Sequence, residues 1–157
     1  YYKTSDKVSI SYDSNSFDNN EIQLIVNKYD YNKINKNISE KLKEKFLDFI
    51  YYDITILDSN NNAIEPKKYI SLSIEIPDGY NNIDIYRIEN DEFIKYDYVI
   101  DGNKAIIHTD HFSEYVIGEK KNSNNPNTGD NILLYAGIFS VLVVCMILVI
   151  GKIEQKN

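Results

Sequence analysis

The sequence predicts a mainly β protein: an antiparallel β-sandwich with one amphipathic helix, followed by a flexible linker and a single transmembrane helix. Three observations support this architecture. Residues 1–117 contain many short runs in which apolar and polar residues alternate, as they do in half-buried strands. Clusters of Asn, Asp and Gly separate these runs, which is typical of hairpin turns. An uncharged apolar run then covers residues 132–151.

The run 70–76 is the clearest strand, because every second residue is Ile or Leu, the residues between are Ser or Glu, and Pro77 ends it. The turn sequences that separate such runs are DSNNN, PDGYNN, ENDE and DGN. Short strands at this spacing are typical of an immunoglobulin-like sandwich. The other predicted strands are 8–12, 22–26, 52–57, 83–88, 93–100, 104–109 and 115–117.

One segment breaks the alternation and predicts a helix at about residues 38–50. Its apolar residues recur at helical spacing, with Lys and Glu on the opposite face. Asn37 and, three residues later, Glu40 form a plausible capping box at its start. We expect this helix to cover one edge or end of the sandwich. The apolar positions are Ile38, Leu42, Phe46, Phe49 and Ile50.

Composition narrows the class of protein. The formal net charge is −7, and no basic patch is interleaved with aromatic residues, so nucleic acid is not an expected partner. The single cysteine, Cys145, lies in the apolar run, so the region before it can form no disulfide. The chain starts at Tyr1 without a signal-peptide pattern, and we expect it to be the C-terminal part of a longer protein.

The predicted organisation is a surface domain over residues 1–118, a linker over 119–131, a transmembrane helix over 132–151 and a tail over 152–157. A run of about 20 apolar residues is long enough to span the hydrocarbon core of a bilayer. Lys152 and Lys156 follow the run, and Lys120 and Lys121 precede it, so the distribution of positive charge does not decide its orientation.

The residues before the apolar run are Asn125, Pro126, Asn127, Thr128 and Gly129. This LPXTG-like motif, the span and the short charged tail together resemble the cell-wall sorting signal of Gram-positive surface proteins. Asn125 stands where Leu is common, which leaves the class of sortase open. Pro126 fixes its own φ and favours an extended Asn125, which suits a peptide that must enter a groove.

The resemblance implies that a sortase transpeptidase cleaves between Thr128 and Gly129 and joins the Thr128 carboxyl to an amine of peptidoglycan. It implies a precursor that is held transiently in the membrane with a cytoplasmic C-terminus, and a product on the cell wall. The sorting-motif residues would then be a substrate site, with no catalytic residue, no metal and no cofactor in this chain.

Residues 7–118 resemble a β-sandwich module found near the C-termini of Gram-positive surface proteins, where it serves as a non-catalytic spacer or stalk. The segments that carry this resemblance include ISLSIEIPDGYNNIDIYRI and IIHTDHFSEYVI. Two alternatives remain open: the end of a surface hydrolase whose catalytic domain lies upstream, and a ligand-binding adhesin module. The sequence does not identify an external ligand.

Both histidines lie in the segment IIHTDHFSEY. His108, Asp110, His111 and Ser113 suggest a Ser-His-Asp site, but such sites assemble residues from separated segments. His-Phe-Ser also resembles the cleavage site of some autoproteolytic domains. A His-x-x-His metal site is weakly supported, since no further ligand is evident. The favoured interpretation is the last strand pair of the sandwich, with Phe112 in the core.

Two further patterns have ordinary structural interpretations. Asp58-Ser-Asn-Asn-Asn62 is similar to the start of a calcium loop, but Ala63 stands where that loop needs Gly and Tyr69 where it needs Glu. A hairpin turn is the favoured interpretation. The 14 tyrosines are compatible with a sugar-binding face, but most lie in predicted strands, which favours core and cross-strand packing.

Overall fold

Ten strands and one α-helix make up residues 1–19 and 21–121, the part of the chain that the computed structural model describes. The elements in chain order are β1 (Tyr2–Ser5), β2 (Val8–Ser11), β3 (Gln23–Tyr29), a short 3₁₀ turn (Tyr31–Lys33), α1 (Lys36–Lys45), β4 (Phe46–Leu57), β5 (Ile70–Glu75), β6 (Ile83–Glu89), β7 (Glu92–Tyr96), β8 (Val99–Asp101), β9 (Lys104–Thr109) and β10 (Glu114–Lys120). The prediction of a mainly β fold with one helix is confirmed.

The strands form two antiparallel sheets of five strands each. The order in the first sheet is β1-β2-β5-β9-β8, and the order in the second sheet is β3-β4-β10-β6-β7. Tight hairpins join β1 to β2, β6 to β7 and β8 to β9 within a sheet. Helix α1 connects β3 to β4 within the second sheet, and the remaining connections pass from one sheet to the other.

The main apolar core lies between the two sheets. It contains alternate residues of the central strands of both, including the fully buried side chains of Leu72, Ile107, Tyr52, Tyr115 and Ile117. The predicted period-2 pattern of residues 70–76 is confirmed, because Ile70, Leu72 and Ile74 are buried and the serines between them are half-buried.

Helix α1 covers the outer face of the second sheet. Ile38 and Leu42 pack with Tyr51 of β4, Ile88 of β6 and Val116 of β10 in a second apolar cluster. The expectation that the helix covers an edge or end of the sandwich was therefore wrong. The physical reason is that the central strands of the second sheet present apolar side chains on both faces, and the outer face needs a cover.

The helix is also shorter than predicted. It begins after Asn35, whose side chain accepts a hydrogen bond from the Asn37 N–H at 2.9 Å, so the cap lies before the predicted Asn37. It ends at Lys45, and Phe46 is already extended with φ −117° and ψ 149°. Residues 46–50 belong to β4. Because β4 is buried on both faces, its apolar residues do not alternate and mimic helical spacing.

Three further boundaries differ from the prediction. The run 93–100 is two strands in different sheets, β7 and β8, and the Tyr98 hydroxyl at the crossing donates to the Ile83 carbonyl at 2.9 Å. Strand β1 was not predicted. Strand β10 continues to Lys120, so Glu119 and Lys120, which we assigned to the linker, pair with β4 and Glu119 also pairs with β6.

The turn chemistry agrees with the sequence patterns. Asn90 and Asp91 both have positive φ, at 50° and 63°, in the two-residue turn between β6 and β7. This is the backbone of a type I′ turn, which Asn and Asp tolerate better than most residues. Gly102, with φ 59°, occupies the first position of the equally short turn between β8 and β9.

Candidate functional site

The predicted sorting motif, Asn125 to Gly129, and the apolar run 132–151 lie outside the described residues, as does the predicted linker from residue 122 onward. The described chain leads to them through β10. Its last residue, Lys121, donates a backbone hydrogen bond to the Lys45 carbonyl at 3.3 Å, at the C-terminal end of α1. In residues 1–19 and 21–121, no helix has the length and apolarity that a membrane span requires.

The His-Phe-Ser segment, for which the sequence favoured a structural interpretation over a catalytic one, forms the corner between β9 and β10. The Tyr115 hydroxyl donates to the backbone carbonyl of His111 at 2.6 Å. The Thr109 hydroxyl lies 2.9 Å from the same carbonyl and 2.9 Å from the Tyr115 hydroxyl. The Tyr96 hydroxyl of β7 reaches Thr109 at 3.1 Å. Two hydroxyls, one from each sheet, therefore contact the His111 carbonyl, and Tyr96 is linked to it through Thr109, which fixes the corner.

Burial makes this network resistant to ionisation. Tyr115 is fully buried, and burial raises the pKa of its hydroxyl far above the ordinary value, while the hydrogen bond from Thr109 opposes the rise. The hydroxyl therefore keeps its proton and remains a donor to His111. Thr109 is also fully buried, so its hydroxyl depends on these partners rather than on water.

Glu65 clamps the corner from the loop between β4 and β5. Its carboxylate accepts the Phe112 N–H at 2.8 Å and lies 3.2 Å from Nδ1 of His111. Burial raises the pKa of the Glu65 carboxyl, whereas the Phe112 N–H and His111 act in the opposite direction. Sequence reasoning missed Glu65, because it is distant in sequence and stands in a loop without periodicity.

Ser113 is not arranged as a nucleophile. Its Oγ is buried without a hydrogen-bond partner in the described part of the chain, and its carbonyl accepts the Ile54 N–H at 2.9 Å. A serine nucleophile needs a base within hydrogen-bond reach. The imidazole of His111 points to Glu65 instead, and that of His108 lies 3.4 Å from the Ser71 hydroxyl. The geometry supports a structural corner with Phe112 buried.

Two segments were considered as cation sites, the His108 and His111 pair and the loop that starts at Asp58. In the described ranges, no three His, Cys, Asp or Glu side chains cluster as metal ligands would. Asp58 accepts the N–H groups of Asn60 and Asn62, both at 2.8 Å, and the hydrogen bond from Asn62 is the main cause that lowers its pKa. These contacts, with the backbone bond from Asp58 to Asn62, describe a turn, as predicted.

The tyrosines are divided between core and surface. Tyr12, Tyr51, Tyr52 and Tyr115 are buried, which agrees with the packing interpretation, and burial raises the pKa of Tyr52 to about 12. Within residues 1–19 and 21–121, the exposed tyrosines come from separate segments of the chain. They are Tyr1, Tyr2, Tyr31 and Tyr69.

The sequence analysis also did not predict that the Phe46 ring packs closely against Gly118. The ring of Phe46 lies directly over this glycine, where a Cβ atom would be 2.5 Å from Cδ1 and 2.7 Å from Cδ2 of the ring. The only signal in the sequence is a glycine directly after the apolar residues Tyr115, Val116 and Ile117, and a glycine within a strand often marks a close contact.

Comparison with known proteins adds no relative: no family model, no curated protein and no solved structure matches the chain.

Proposed function

We propose that the chain is the wall-proximal part of a Gram-positive surface protein that a sortase attaches covalently to peptidoglycan. The observation that carries this proposal is the order of three features: Asn125-Pro-Asn-Thr-Gly129, an uncharged run of 20 residues, and a short charged tail. A run that only retained the protein in a membrane would need no particular residues before it. Cleavage would break the Thr128–Gly129 amide and form a new amide between Thr128 and a peptidoglycan amine.

The position of the motif relative to the domain suits such an attachment. Strand β10 ends at Lys120, and eight residues lead from Lys121 to Thr128. A fully extended chain covers at most about 3.3–3.6 Å per residue, so Thr128 can lie no more than about 29 Å from the end of the strand. The domain would therefore remain close to its attachment point and act as a base for whatever precedes it.

The second sheet suits a role as a base. After attachment at Thr128, tension along the chain would reach the domain through β10. This strand is central, with β4 paired along one side and β6 along the other. Because ladder hydrogen bonds run perpendicular to the strands, a pull along β10 loads both ladders in shear and must break many bonds together. An edge strand at this position would have only one ladder.

The immunoglobulin-like assignment of the sandwich belongs to the same proposal. Its support is the hydrogen bond from Tyr115 to the carbonyl four residues earlier, which has the form of the tyrosine corner of Greek-key sandwiches. The proposed role of the domain is non-catalytic spacing. The proposed precursor spans the membrane once, with residues 152–157 in the cytoplasm. Removal of residues 129–157 takes away two lysines and two acidic residues, so the mature net charge remains −7.

A comparison of motif variants tests the proposal in a Gram-positive host that expresses the matching sortase. Thr128→Ala removes the residue whose carboxyl is transferred, and we expect the protein to stay extractable by detergent. Asn127→Ala is the matched control, because the position between Pro126 and Thr128 varies in such motifs. We expect this variant to be released by muramidase like the wild type. Equal detergent extraction of all three proteins would identify a plain membrane anchor.

A further inference from the structure

The outer face of the first sheet carries two adjoining rows of small hydroxyl side chains. Residues that lie directly opposite each other on neighbouring antiparallel strands have their side chains close together on the same face. In one row Thr4 lies opposite Ser9, and Ser9 lies opposite Ser73. In the next row Ser11 lies opposite Ser71. These five residues therefore form one continuous surface across β1, β2 and β5, which is called the hydroxyl face here.

Packing within the domain does not account for the hydroxyl face. Four of its five residues are serines, and serine is not among the residue types that strands favour. In residues 1–19 and 21–121, the single α-helix covers the second sheet, and no helix covers the first. Ser11 is exposed and Ser71 and Ser73 are half-buried, so this surface is open to solvent. Because each hydroxyl can both donate and accept hydrogen bonds, the surface is available to a polar ligand.

A cleft of about 210 Å³ lies at one end of the hydroxyl face. Its lining includes Ser11 and Ser71 of the face and the exposed residues Asp13, Tyr69 and His108. The Ser71 hydroxyl lies 3.4 Å from Nδ1 of His108. Pockets that enclose a whole drug-sized ligand have about 300–1,000 Å³. This cleft is smaller, so it suits one ring of a longer ligand whose other rings lie across the face.

Two exposed tyrosines lie on the same side of the sheet as the hydroxyl face. Tyr2 of β1 lies directly opposite Ser11 and is 58% exposed. Tyr69 comes directly before β5, lines the cleft and is 66% exposed. Strands β1 and β5 are two positions apart in the sheet, a distance of about 10 Å. The negative face of an aromatic ring attracts C–H groups, and a sugar ring presents such groups on one of its sides.

The charges around the hydroxyl face are of both signs. In the cleft, the Asp13 carboxylate pairs with Lys68 at 2.8 Å, and the hydrogen bond from Lys68 lowers the pKa of Asp13. Beyond the serines, Lys104 lies opposite Glu75 on one side and Asp101 on the other. A charged ligand would therefore meet repulsion as well as attraction. Small hydroxyl side chains also lack the aromatic and Arg anchors that dominate protein interfaces. The chemistry favours a neutral ligand that is rich in hydroxyl groups.

We propose that the hydroxyl face and its cleft bind a neutral oligosaccharide. Tyr69 stacks against the sugar ring in the cleft, and the hydroxyls of Ser11 and Ser71 exchange hydrogen bonds with the hydroxyl groups of that ring. Tyr2 contacts a second ring of the same oligosaccharide. This inference goes beyond the proposed anchoring and does not depend on it, because every residue that carries it belongs to the described domain.

Titration calorimetry of residues 1–128 tests the proposal with four neutral probes, namely cellohexaose, maltohexaose, mannohexaose and chitohexaose, and with hexagalacturonate as the anionic control. The fragment contains both apolar clusters, all of whose members lie within the compact unit Tyr1–Lys121. We expect at least one neutral hexasaccharide to bind, and Tyr69→Ala to weaken that binding about tenfold. Tyr31→Ala is the matched control and should leave binding unchanged, because Tyr31 is an exposed tyrosine that packs against Phe49 of the second cluster.

A second pair of variants tests the hydroxyl groups. Ser71→Val removes a hydroxyl from the face, and Thr55→Val removes one from β4 in the second sheet. Valine suits a strand at both positions, and thermal unfolding of each variant shows that the fold is retained. We expect Ser71→Val to weaken binding by about threefold to tenfold and Thr55→Val to leave it unchanged.

Three results would overturn the proposal. They are the absence of binding to all four neutral hexasaccharides, binding of hexagalacturonate alone, and equal affinity of the wild type and Tyr69→Ala for the neutral probe. Because the fragment lacks residues 129–157, none of these results depends on sortase cleavage, and failure of the anchoring proposal would be seen separately.

Discussion

Gly118 of β10 provides a sensitive test of the packing between α1 and the second sheet. A Cβ at this position would lie 2.5 Å from Cδ1 of Phe46, well inside van der Waals contact. Phe46 is 3% exposed and packs against Phe49 and Tyr86, so its ring cannot rotate into solvent without cost. It also joins α1 directly to β4. We therefore predict that Gly118→Ala displaces the helix–strand junction.

The expected loss follows from two opposing effects. Overpacking a filled core costs about 1–3 kcal/mol. Replacement of glycine within a strand recovers about 0.5–1 kcal/mol of backbone entropy. Gly118→Ala should therefore lower the free energy of unfolding by about 1–2 kcal/mol, measured by urea denaturation of residues 1–128. In a Phe46→Leu background, which removes the ring, the same change should cost much less. A neutral Gly118→Ala, or an equal cost in both backgrounds, would refute this reasoning.

Three further predictions concern the corner between β9 and β10. Tyr115→Phe should lower the free energy of unfolding by about 1–3 kcal/mol, because the His111 carbonyl loses the hydrogen-bond donor that lies closest to it. Urea denaturation measures this loss, and a change below about 0.5 kcal/mol would contradict the prediction. Glu65→Gln keeps an acceptor for the Phe112 N–H but removes a carboxyl whose folded pKa is raised. Because the pKa is raised in the folded protein, the ionised form of Glu65 destabilises the fold at neutral pH. This destabilisation disappears as the pH falls to the pKa that the carboxyl has in the unfolded chain. Parallel unfolding curves should therefore show the wild type gaining stability relative to Glu65→Gln as the pH falls from 7 to about 4.5. An unchanged difference between the two proteins would show that Glu65 does not act in this way. Finally, the domain and its Ser113→Ala variant should both remain single chains on denaturing gels, whereas cleavage of the wild type alone at Phe112–Ser113 would assign a nucleophilic role to Ser113.

The sequence predicted most strands, β5 most clearly, but it assigned the first five residues of β4 to the helix. In β5 the alternation of Ile or Leu with Ser reports directly which face meets the core. In β4, Phe49 and Tyr51 face the helix while Tyr52 and Ile54 face the main core. Apolar residues on both faces erase the period of 2, and the end of α1 was consequently placed five residues too late.

Local sequence patterns could not predict contacts between segments that are distant in the chain. The alternation of residues 93–100 continues across Tyr98, and nothing local shows that β7 and β8 belong to different sheets. The segment around His111 was predicted as a strand pair, but the contact between the Glu65 carboxylate and His111 joins segments that are distant in sequence. The sorting motif is a prediction from the order of features along the chain, and it lies in residues that the structure does not describe.

The measurement that tests the central claim most directly is mass spectrometry of the protein released from cell walls by muramidase. If sortase cleaves the chain as proposed, the C-terminal peptide will end at Thr128 and carry a peptidoglycan peptide on its carboxyl group, and residues 129–157 will be absent. Recovery of the intact C-terminus, Lys156-Asn157, from a protein that only detergent releases would contradict covalent anchoring.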